Sequence, residues 1–244
     1  MKISFVIPAY NEEAYIGPCL DSVVRELSAG AYDAEVIVVD NNSTDRTREL
    51  ALAVPNVKVV SESHKGLVRA RQAGFLASSG DLIANVDADT RLPQGWVETV
   101  LDEFRRDDHL AALSGPLIYF DMSLFGRALV RVFYWLAYLV YFIVRDVLHV
   151  GAMVQGGNFV VRRSALEPIG GFDTSIEFYG EDTDVARRVS RVGRVKWTFR
   201  LPIYSSARRL KGEGIVRVGL RYALNYFWVT FRGRPLTRDY TDIR

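Results

Sequence analysis

The chain has 244 residues, of which 49% are hydrophobic, so it can bury a full core in one or two domains. A single cysteine, Cys19, excludes a disulfide framework and a cysteine-ligated zinc site, and favours a reducing compartment. The net charge of +2 conceals an asymmetry. Residues 1–120 carry 11 basic and 18 acidic side chains, whereas residues 121–244 carry 20 and 11. The two halves are therefore expected to face different partners.

Short apolar stretches rich in Val and Ile alternate with helical patterns through the first 90 residues. We predict strands at residues 3–7, 35–39, 57–60 and 82–86, and helices at residues 13–27, 44–53 and 66–77. This alternation is typical of an α/β fold in which helices cover both faces of a mostly parallel sheet. Ligands of such sheets bind at the carboxyl ends of the strands, where several polar segments fall.

The composition changes after the first 120 residues. We predict helices at residues 96–106, 182–192 and 215–231, and strands at residues 110–113, 156–161 and 195–199. Residues 132–144 are uncharged, but a helix of that length is only about 20 Å long, too short to span a membrane alone. The chain does not open with a signal-peptide pattern, so a cytoplasmic location is expected.

Acidic side chains at the predicted strand ends are the main candidates for chemistry. Asp87 and Asp89 can bind one hard cation, or a diphosphate through that cation, although a solvated turn is the alternative. Asp40 begins an Asp-Asn-Asn-Ser-Thr-Asp segment that can also cap a helix. Glu181 and Asp182 open a predicted helix, where the helix dipole alone favours acidic residues. Their order along one sheet favours a shared site.

Seven segments of the chain occur in the order found in one known family. They are residues 6–13 (Val-Ile-Pro-Ala-Tyr-Asn-Glu-Glu), 38–45 (Val-Val-Asp-Asn-Asn-Ser-Thr-Asp), 65–74 (Lys-Gly-Leu-Val-Arg-Ala-Arg-Gln-Ala-Gly), 87–89 (Asp-Ala-Asp), 157–163 (Gly-Asn-Phe-Val-Val-Arg-Arg), 170–173 (Gly-Gly-Phe-Asp) and 180–184 (Gly-Glu-Asp-Thr-Asp). With them the chain resembles the family-2 glycosyltransferases of the GT-A fold over residues 1–206. The resemblance implies transfer of one sugar, of the hexosyl type, from a nucleotide-diphosphate donor to an acceptor hydroxyl, usually with inversion.

The same resemblance implies roles for individual residues. Asp89, with Asp87 beside it, would hold Mg²⁺ or Mn²⁺. Asp182 would be the general base, and its neighbour Glu181 could instead orient the acceptor. The side chains expected to bind the nucleotide sugar are Pro8, Tyr10, Glu12, Asp40, Lys65, Arg69 and Asp87, with Lys65 and Arg69 equally well explained as solvated charges at a helix start. Further candidates for acceptor or phosphate contacts are Asn158, Arg208 and Arg209.

Two features depart from the family pattern. Many relatives carry a late histidine as a further metal ligand, but none of the three histidines here follows Asp182. Arg208 and Arg209 occupy that neighbourhood, so either the aspartates, the diphosphate and water hold the ion, or arginine charge stabilises the phosphates. The Gln-x-x-Arg-Trp motif of processive synthases is absent, which favours a single addition.

Two segments form basic amphipathic helices when wrapped at 3.6 residues per turn. In residues 123–150, an insertion in the domain 1–206, the predicted polar stripe is Arg127, Arg131, Tyr134, Tyr138, Tyr141 and Arg145, and the opposite stripe is Leu129, Phe133, Leu136, Val140, Ile143 and Val147. In the C-terminal extension, residues 207–244, the predicted polar stripe is Arg217, Arg221, Asn225, Trp228 and Arg232, with Tyr222, Tyr226 and Val229 facing away.

Basic helices rich in aromatic residues lie in the membrane interface. We therefore expect a peripheral protein on the anionic inner face of the plasma membrane, with a lipid-linked acceptor or a soluble sugar acceptor. The alternative is that both helices pack as core helices, against each other or against a second subunit in an oligomer. Nucleic acid is not expected as a partner, because the arginines alternate with apolar stripes and form no polar patch.

The residues themselves leave two other functions to consider. A sugar nucleotidyltransferase uses a similar sheet but needs a glycine-rich loop after the first strand, where this chain has Pro-Ala-Tyr-Asn-Glu at residues 8–12. A nucleotide-binding scaffold without turnover has no need of a general base. The presence of Asp182 together with Asp40, Asp87 and Asp89 therefore favours an enzyme.

Overall fold

The structure is a computed structural model that describes residues 1–143 and 152–237. The strands are β1 (Ile3–Ala9), β2 (Ala34–Asp40), β3 (Val57–Ser61), β4 (Leu82–Val86), β5 (Thr90–Arg91), β6 (Leu110–Ser114), β7 (Leu117–Tyr119), β8 (Asn158–Arg162), β9 (Arg194–Trp197) and β10 (Ile203–Ser205). The helices are α1 (Ile16–Ser28), α2 (Thr47–Leu52), α3 (Leu67–Ala77), α4 (Trp96–Arg106), α5 (Leu124–Phe142), α6 (Arg163–Leu166), α7 (Glu181–Val189), α8 (Arg208–Glu213) and α9 (Ile215–Arg232).

The central sheet has seven strands in the order β3-β2-β1-β4-β8-β6-β9. All neighbouring strands run parallel except β8, which is antiparallel to both β4 and β6. The predicted mostly parallel α/β sheet is confirmed. A second sheet of three short strands, β5-β10-β7, lies outside the prediction, because strands of two or three residues are too short to show a period.

Helices cover both faces of the central sheet, as the alternation in the sequence predicts. Strand β1 shows how successive side chains divide between the two faces. Phe5 joins a core cluster with residues of α1 and α4, whereas its neighbour Val6 joins a second cluster with residues of α3 and α7. Each fully buried apolar side chain of this size stabilises the fold by roughly 1.5–3 kcal/mol.

The predicted bounds agree with the structure to within two residues for seven strands and within three for six helices. Helix α2 is shorter than predicted because the chain is held in a turn before it. The Asp45 carboxylate accepts a hydrogen bond from the Thr47 N–H at 2.9 Å, and the Ser43 hydroxyl accepts one from the Asn11 N–H at 3.1 Å. The helix therefore begins at Thr47 instead of residue 44.

Helix α5 has 19 residues and is longer than the uncharged stretch at residues 132–144. By length and composition alone it could cross a membrane, and no other helix in the described ranges could. Tyr134 and Tyr141 of the predicted polar stripe are buried, whereas Arg127 and Arg131 of the same stripe are exposed, as is Leu136 of the opposite stripe at 59%. The predicted division of α5 into two stripes is therefore reproduced only in part, because its tyrosines face the protein and its arginines do not. The predicted stripe positions Arg145 and Val147 lie outside the described residues.

Helix α9 departs from its predicted division into stripes. The predicted stripes place Asn225 and Val229 on opposite faces, but these residues are four positions apart and both are buried, at 1% and 0% exposure. The Asn225 amide oxygen accepts hydrogen bonds from the N–H groups of Leu236 and Thr237, both at 3.0 Å. Asn225 therefore holds the segment after α9 against the helix, which is why it faces inward.

Candidate active site

The parallel strands β1, β2 and β4 end at the same edge of the central sheet, beside an open cleft. The cleft is open to solvent, and the empty space in it, counted together with the solvent at its mouth, is about 1280 Å³. Helices α7, α8 and α9 line its other parts. Ten of the predicted site residues line it together: Pro8, Tyr10, Glu12, Lys65, Asp87, Asp89, Glu181, Asp182, Arg208 and Arg209.

Asn158 does not reach the cleft, and its predicted contact with acceptor or phosphate is wrong. Its side chain is fully buried. The amide nitrogen donates to the Leu201 carbonyl at 2.8 Å, and the amide oxygen accepts from the Trp96 indole at 3.3 Å. Because these bonds use both ends of the amide inside the protein, Asn158 joins elements of the fold and is not free to bind a ligand.

Asp40 and Arg69 also lie outside the cleft lining. Arg69 is exposed on α3. One oxygen of Asp40 accepts from the Ser43 N–H at 3.1 Å, and the other lies 3.7 Å from the Arg48 guanidinium. The next residue, Asn41, lines the cleft instead, and its amide oxygen accepts from the Gly66 N–H at 2.7 Å. The strand end is therefore beside the cleft, but its turn is held by internal bonds.

A buried arginine, Arg71, connects two of the predicted acidic residues; it lies in the segment 65–74 that carries the resemblance, but no role is predicted for it. Arg71 in α3 is 0% exposed; its guanidinium lies 3.0 Å from Asp87 and forms a second ion pair with Glu181. Burial opposes the charge, but the two carboxylates outweigh it and raise the pKa of Arg71. The segment pattern alone does not distinguish the role of Arg71 from that of a solvated charge on the helix. Only its neighbours in space show that it organises the site.

The loop at residues 155–157 holds the two sides of the cleft together. The Gly156 N–H donates to the Asp182 carboxylate at 3.1 Å. Gly157 has a φ of 77°, and a Cβ at this position would collide with the Asp87 carboxylate. Glycine is therefore required here both by the left-handed backbone and by the close approach of Asp87.

Glu181 and Asp182 are neighbours with different surroundings. One Glu181 oxygen pairs with Arg71, and burial raises the pKa of Glu181 to about 7 against the opposing charge of Arg71. Asp182 is only partly buried, and its oxygens accept from the N–H groups of Gly156 and Thr183. Burial also raises the pKa of Asp182, although these N–H groups oppose the shift. Within residues 1–143 and 152–237, Glu181 therefore forms an ion pair and Asp182 forms none.

Arg208, the first residue of α8, lies between two acidic residues from the sheet. Its guanidinium donates to Glu12 at 2.8 Å and lies 3.2 Å from Asp89. Burial opposes its charge, but the bond to Glu12 and the charge of Asp89 raise the pKa of Arg208. Nearby, the Lys65 ammonium lies 4.0 Å from the centre of the Tyr10 ring. The cleft therefore brings cations and carboxylates together at the strand ends.

Five of the seven segments that carry the resemblance contribute residues to this cleft, and comparison to known proteins agrees with the resemblance. Residues 4–170 match the family described as Glycosyl transferase family 2, which is more than half of the chain. The chain belongs to glycosyltransferase family 2. Its GT-A fold is that of solved glycosyltransferase structures.

Relatives of this family-2 chain include a Bacillus subtilis protein described as probable glycosyltransferase YdaM. It is 30% identical in an alignment of length 208 that covers 79% of this chain and 47% of that protein. Chondroitin synthase of Escherichia coli is 35% identical over 115 residues, 46% of this chain and 16% of the synthase. The chain thus spans less than half the length of these curated relatives.

Among solved structures, mannosyltransferase PcManGT from Pyrobaculum calidifontis, in complex with GDP-Man and Mn²⁺, superposes with a TM-score of 0.72 at 20% identity. The match covers 94% of this chain and 64% of that one. Glucosyl-3-phosphoglycerate synthase from Mycobacterium tuberculosis, in complex with Mn²⁺, UDP and phosphoglyceric acid, gives 0.64 at 23% identity, over 94% and 78%. At these identities the likeness concerns the fold.

The donor atoms of this family-2 site fit a divalent ion that arrives with phosphate. In the described ranges, no group of three or more His, Cys, Asp or Glu side chains could hold a metal ion. Asp87 and Asp89 nevertheless present two carboxylates in the cleft. Mg²⁺ and Mn²⁺ sites commonly use one or two carboxylates completed by substrate phosphates and water. The two aspartates suit such an ion better than one held by protein alone.

Proposed function

We propose that this chain transfers one hexosyl group from a nucleotide-diphosphate sugar to an acceptor hydroxyl, with inversion at the anomeric carbon. The observation that carries the proposal is that the loop at residues 155–157 contacts Asp87 and Asp182 within one cleft. The acceptor oxygen attacks the anomeric carbon, and the bond from that carbon to the diphosphate oxygen breaks. The acceptor proton passes to Asp182, and the nucleoside diphosphate leaves with the bonding electrons.

Asp182 is the general base of this proposal because its neighbour is already committed to Arg71. An oxygen of Glu181 forms an ion pair with that buried guanidinium, whereas Asp182 is held only by backbone and hydroxyl groups. Those bonds fix the direction of the Asp182 carboxylate and leave lone pairs on both oxygens for an acceptor proton. The raised pKa of Asp182 also makes it a stronger base than an exposed aspartate.

The strand-end groups would bind the donor diphosphate. Arg208 and Lys65 supply positive charge on the cleft wall, and the planar guanidinium suits phosphate oxygens. The Arg71 guanidinium donates a hydrogen bond to the Asp87 carboxylate and so fixes its position. A divalent ion held by Asp87 and Asp89 would supply Lewis-acid stabilisation of the leaving diphosphate. The donors named in the solved relatives, GDP-Man and UDP-glucose, support a nucleotide sugar without fixing its base or sugar.

The donor class is tested by binding and turnover across guanosine, uridine and thymidine diphosphate sugars with Mn²⁺. We expect one nucleotide to bind at least tenfold more tightly than the others and to be released as the diphosphate. If none binds, the proposal fails. Binding without any turnover, with or without added acceptors, would instead favour a nucleotide-binding scaffold.

The base assignment predicts that Asp182→Asn lowers transfer by roughly a thousandfold, because the proton acceptor is lost while side-chain volume is retained. Donor affinity, measured by calorimetry, should stay within about threefold of the wild type. Glu181→Gln is the matched control and should retain more transfer than Asp182→Asn. The reverse order of the two variants would assign the base to Glu181.

A further inference from the structure

Helices α5 and α9 turn their apolar faces away from the protein. The outward side chains recur every three or four residues along each helix, as one face requires. On α5 they are Phe125, Leu129, Val132, Leu136 and Leu139, exposed by 40–81%; on α9 they are Val216, Leu220, Leu224, Phe227 and Phe231, exposed by 41–69%. A helix on the surface of a water-soluble protein normally has the opposite orientation.

Hydrogen bonds on the inner face hold α5 in this orientation. The Tyr134 hydroxyl accepts from the Leu117 N–H at 3.2 Å and donates to Gln155 at 3.2 Å. The Tyr141 hydroxyl donates to the Val195 carbonyl at 3.0 Å. Because these bonds lie almost two turns apart, they fix the rotation of the helix as well as its position. They also hold α5 along the body of the protein, which favours a helix lying in an interface over one that crosses it.

The two outward faces form one surface. Gly219 of α9 lies against the Phe133 ring of α5, so that a Cβ at position 219 would be in van der Waals contact with it at 3.5 Å. Apolar patches of this extent are rare on the surface of a monomer and mark a binding surface. We call this surface, formed by the outward residues of α5 and α9, the outer face.

The charge around the outer face decides between its possible occupants. Neither α5 nor α9 contains an acidic residue. Arg131 and Arg217 are exposed beside the apolar stripes, and the Arg232 guanidinium lies 5.3 Å from the Trp228 ring centre. A second copy of the chain would place arginines against arginines, whereas anionic lipid head groups neutralise them. Tryptophan and arginine at the edge of an apolar helix are typical of the membrane interface.

Helix α9 contributes side chains to both the outer face and the cleft. Val218 and Tyr222 of α9 line the cleft, while Val216 and Leu220 of the same helix face outward. A helix with its side chains is only about 10 Å across. A molecule held in a bilayer against the outer face is therefore within about one helix diameter of the cleft, where Asp182 lies.

On the basis of the proposed function, we infer that the outer face docks onto an anionic cytoplasmic leaflet and that the acceptor is a lipid whose head group carries the reacting hydroxyl. The bilayer would take up the apolar side chains, and its anionic head groups would neutralise Arg131 and Arg217. The lipid head group would enter the cleft past α9. The acceptor proton and the diphosphate follow the same course as in the transfer described above.

Flotation of the full chain with vesicles at low salt tests the docking surface. We expect binding to phosphatidylcholine vesicles that contain phosphatidylglycerol, and at least tenfold weaker binding for Leu136→Glu with Leu220→Glu. The control Leu76→Glu, at a site 71% exposed on α3, should float like the wild type. Arg131→Glu with Arg217→Glu should weaken binding to anionic vesicles more than to phosphatidylcholine alone.

The docking inference is overturned if the wild type does not float with anionic vesicles, or if the outer-face variant floats equally well. It is also overturned if light scattering shows that the wild type is a dimer and the outer-face variant a monomer, and if the wild type does not bind vesicles. In that case a second copy of the chain covers the outer face.

Nucleoside diphosphate release tests the acceptor class. Vesicles that contain diacylglycerol or a polyprenyl-diphosphate-linked sugar should raise release at least tenfold in the wild type, and much less in the outer-face variant. Donor affinity without vesicles should be equal in both, because Leu136 and Leu220 do not line the cleft. No donor binding in the wild type would overturn the proposed function itself. Donor binding without stimulation by either lipid, or equal transfer to a water-soluble sugar, would overturn only the lipid acceptor.

Discussion

Helices α1 and α5 are both amphipathic, but they bury opposite faces. In α1, Leu20 and Val23 are fully buried against the sheet, and Asp21 is exposed to water. In α5, Leu136 is 59% exposed, and Tyr134 packs against the body of the protein. The periodicity of a helix thus defines two faces, whereas its surroundings decide which face meets the protein.

The two regions also use charge differently. At the strand ends each acidic residue of the Asp-Ala-Asp segment has an arginine partner: Asp87 has Arg71, and Asp89 has Arg208. On the outer face of α5 and α9, basic residues are accompanied by no acidic residue of the same helices. The first region suits a small charged ligand, and the second is the surface for which we propose an anionic membrane as the partner.

The largest contrast is expected in stability. Leu20→Ala should lower the free energy of unfolding by about 2–5 kcal/mol, because it leaves a cavity in the core. Leu136→Ala should change the free energy of unfolding by less than about 0.5 kcal/mol, because the Leu136 side chain buries little apolar surface in the folded protein. Urea denaturation of both variants measures the difference. An equally large loss at Leu136 would mean that the outer face is buried in the folded protein in solution.

A pair of glycines tests the close packing at the strand ends. Gly157→Ala should lower donor turnover at least tenfold, because the new Cβ displaces Asp87. Gly170 is the matched control: it has the same φ of 77°, but a Cβ there would meet nothing within 4 Å. Both variants should lose about 1 kcal/mol of stability to backbone strain, and only Gly157→Ala should lose turnover. Equal turnover in the two would show that Asp87 tolerates displacement.

Arg208 lies at the strand ends, and its replacement tests whether it competes with a metal ion for Asp89. Arg208→Gln should strengthen Mn²⁺ binding in the absence of nucleotide by roughly tenfold, because a cation 3.2 Å from Asp89 is removed. It should weaken binding of the nucleoside diphosphate alone by a similar factor. Electron paramagnetic resonance and calorimetry measure these affinities, with Arg208→Lys as the control that keeps the charge. Unchanged Mn²⁺ affinity in Arg208→Gln would show that the two cations do not compete.

The pH dependence of transfer is the smallest effect and concerns the cleft alone. The proposed base is active when ionised, and burial raises the pKa of Asp182 above its usual value. Transfer should therefore fall as the pH is lowered through that raised pKa, so the acid limb lies above the value of about 3.9 for an exposed aspartate. The Glu181→Gln variant should show the same loss of transfer at acid pH, because Asp182 is still present. Loss of the limb in Glu181→Gln would assign it to Glu181, whose pKa is about 7.

Much of the central sheet could be predicted because its signals are local. The predicted bounds of strand β4 are those of the structure, since Leu82–Val86 is a short buried run with four apolar residues out of five. The convergence of Asp87, Asp89 and the α7 carboxylates in one cleft also follows from strand order and from the carboxyl-end rule. Strands β5, β7 and β10 could not be predicted, because their pairing depends on partners far apart in the chain.

The sequence by itself determined the α/β class, the family and ten residues of the cleft, because periodicity and motif order are properties of neighbouring positions. The tertiary structure alone decided the rest. It gave Arg71 two acidic partners, Asp87 and Glu181, and it turned Asn158 into the interior. It also directed the leucines of α5 outward. Each of these outcomes depends on which distant segment supplies the opposing charge, carbonyl or apolar surface, and a pattern along one segment does not contain that information.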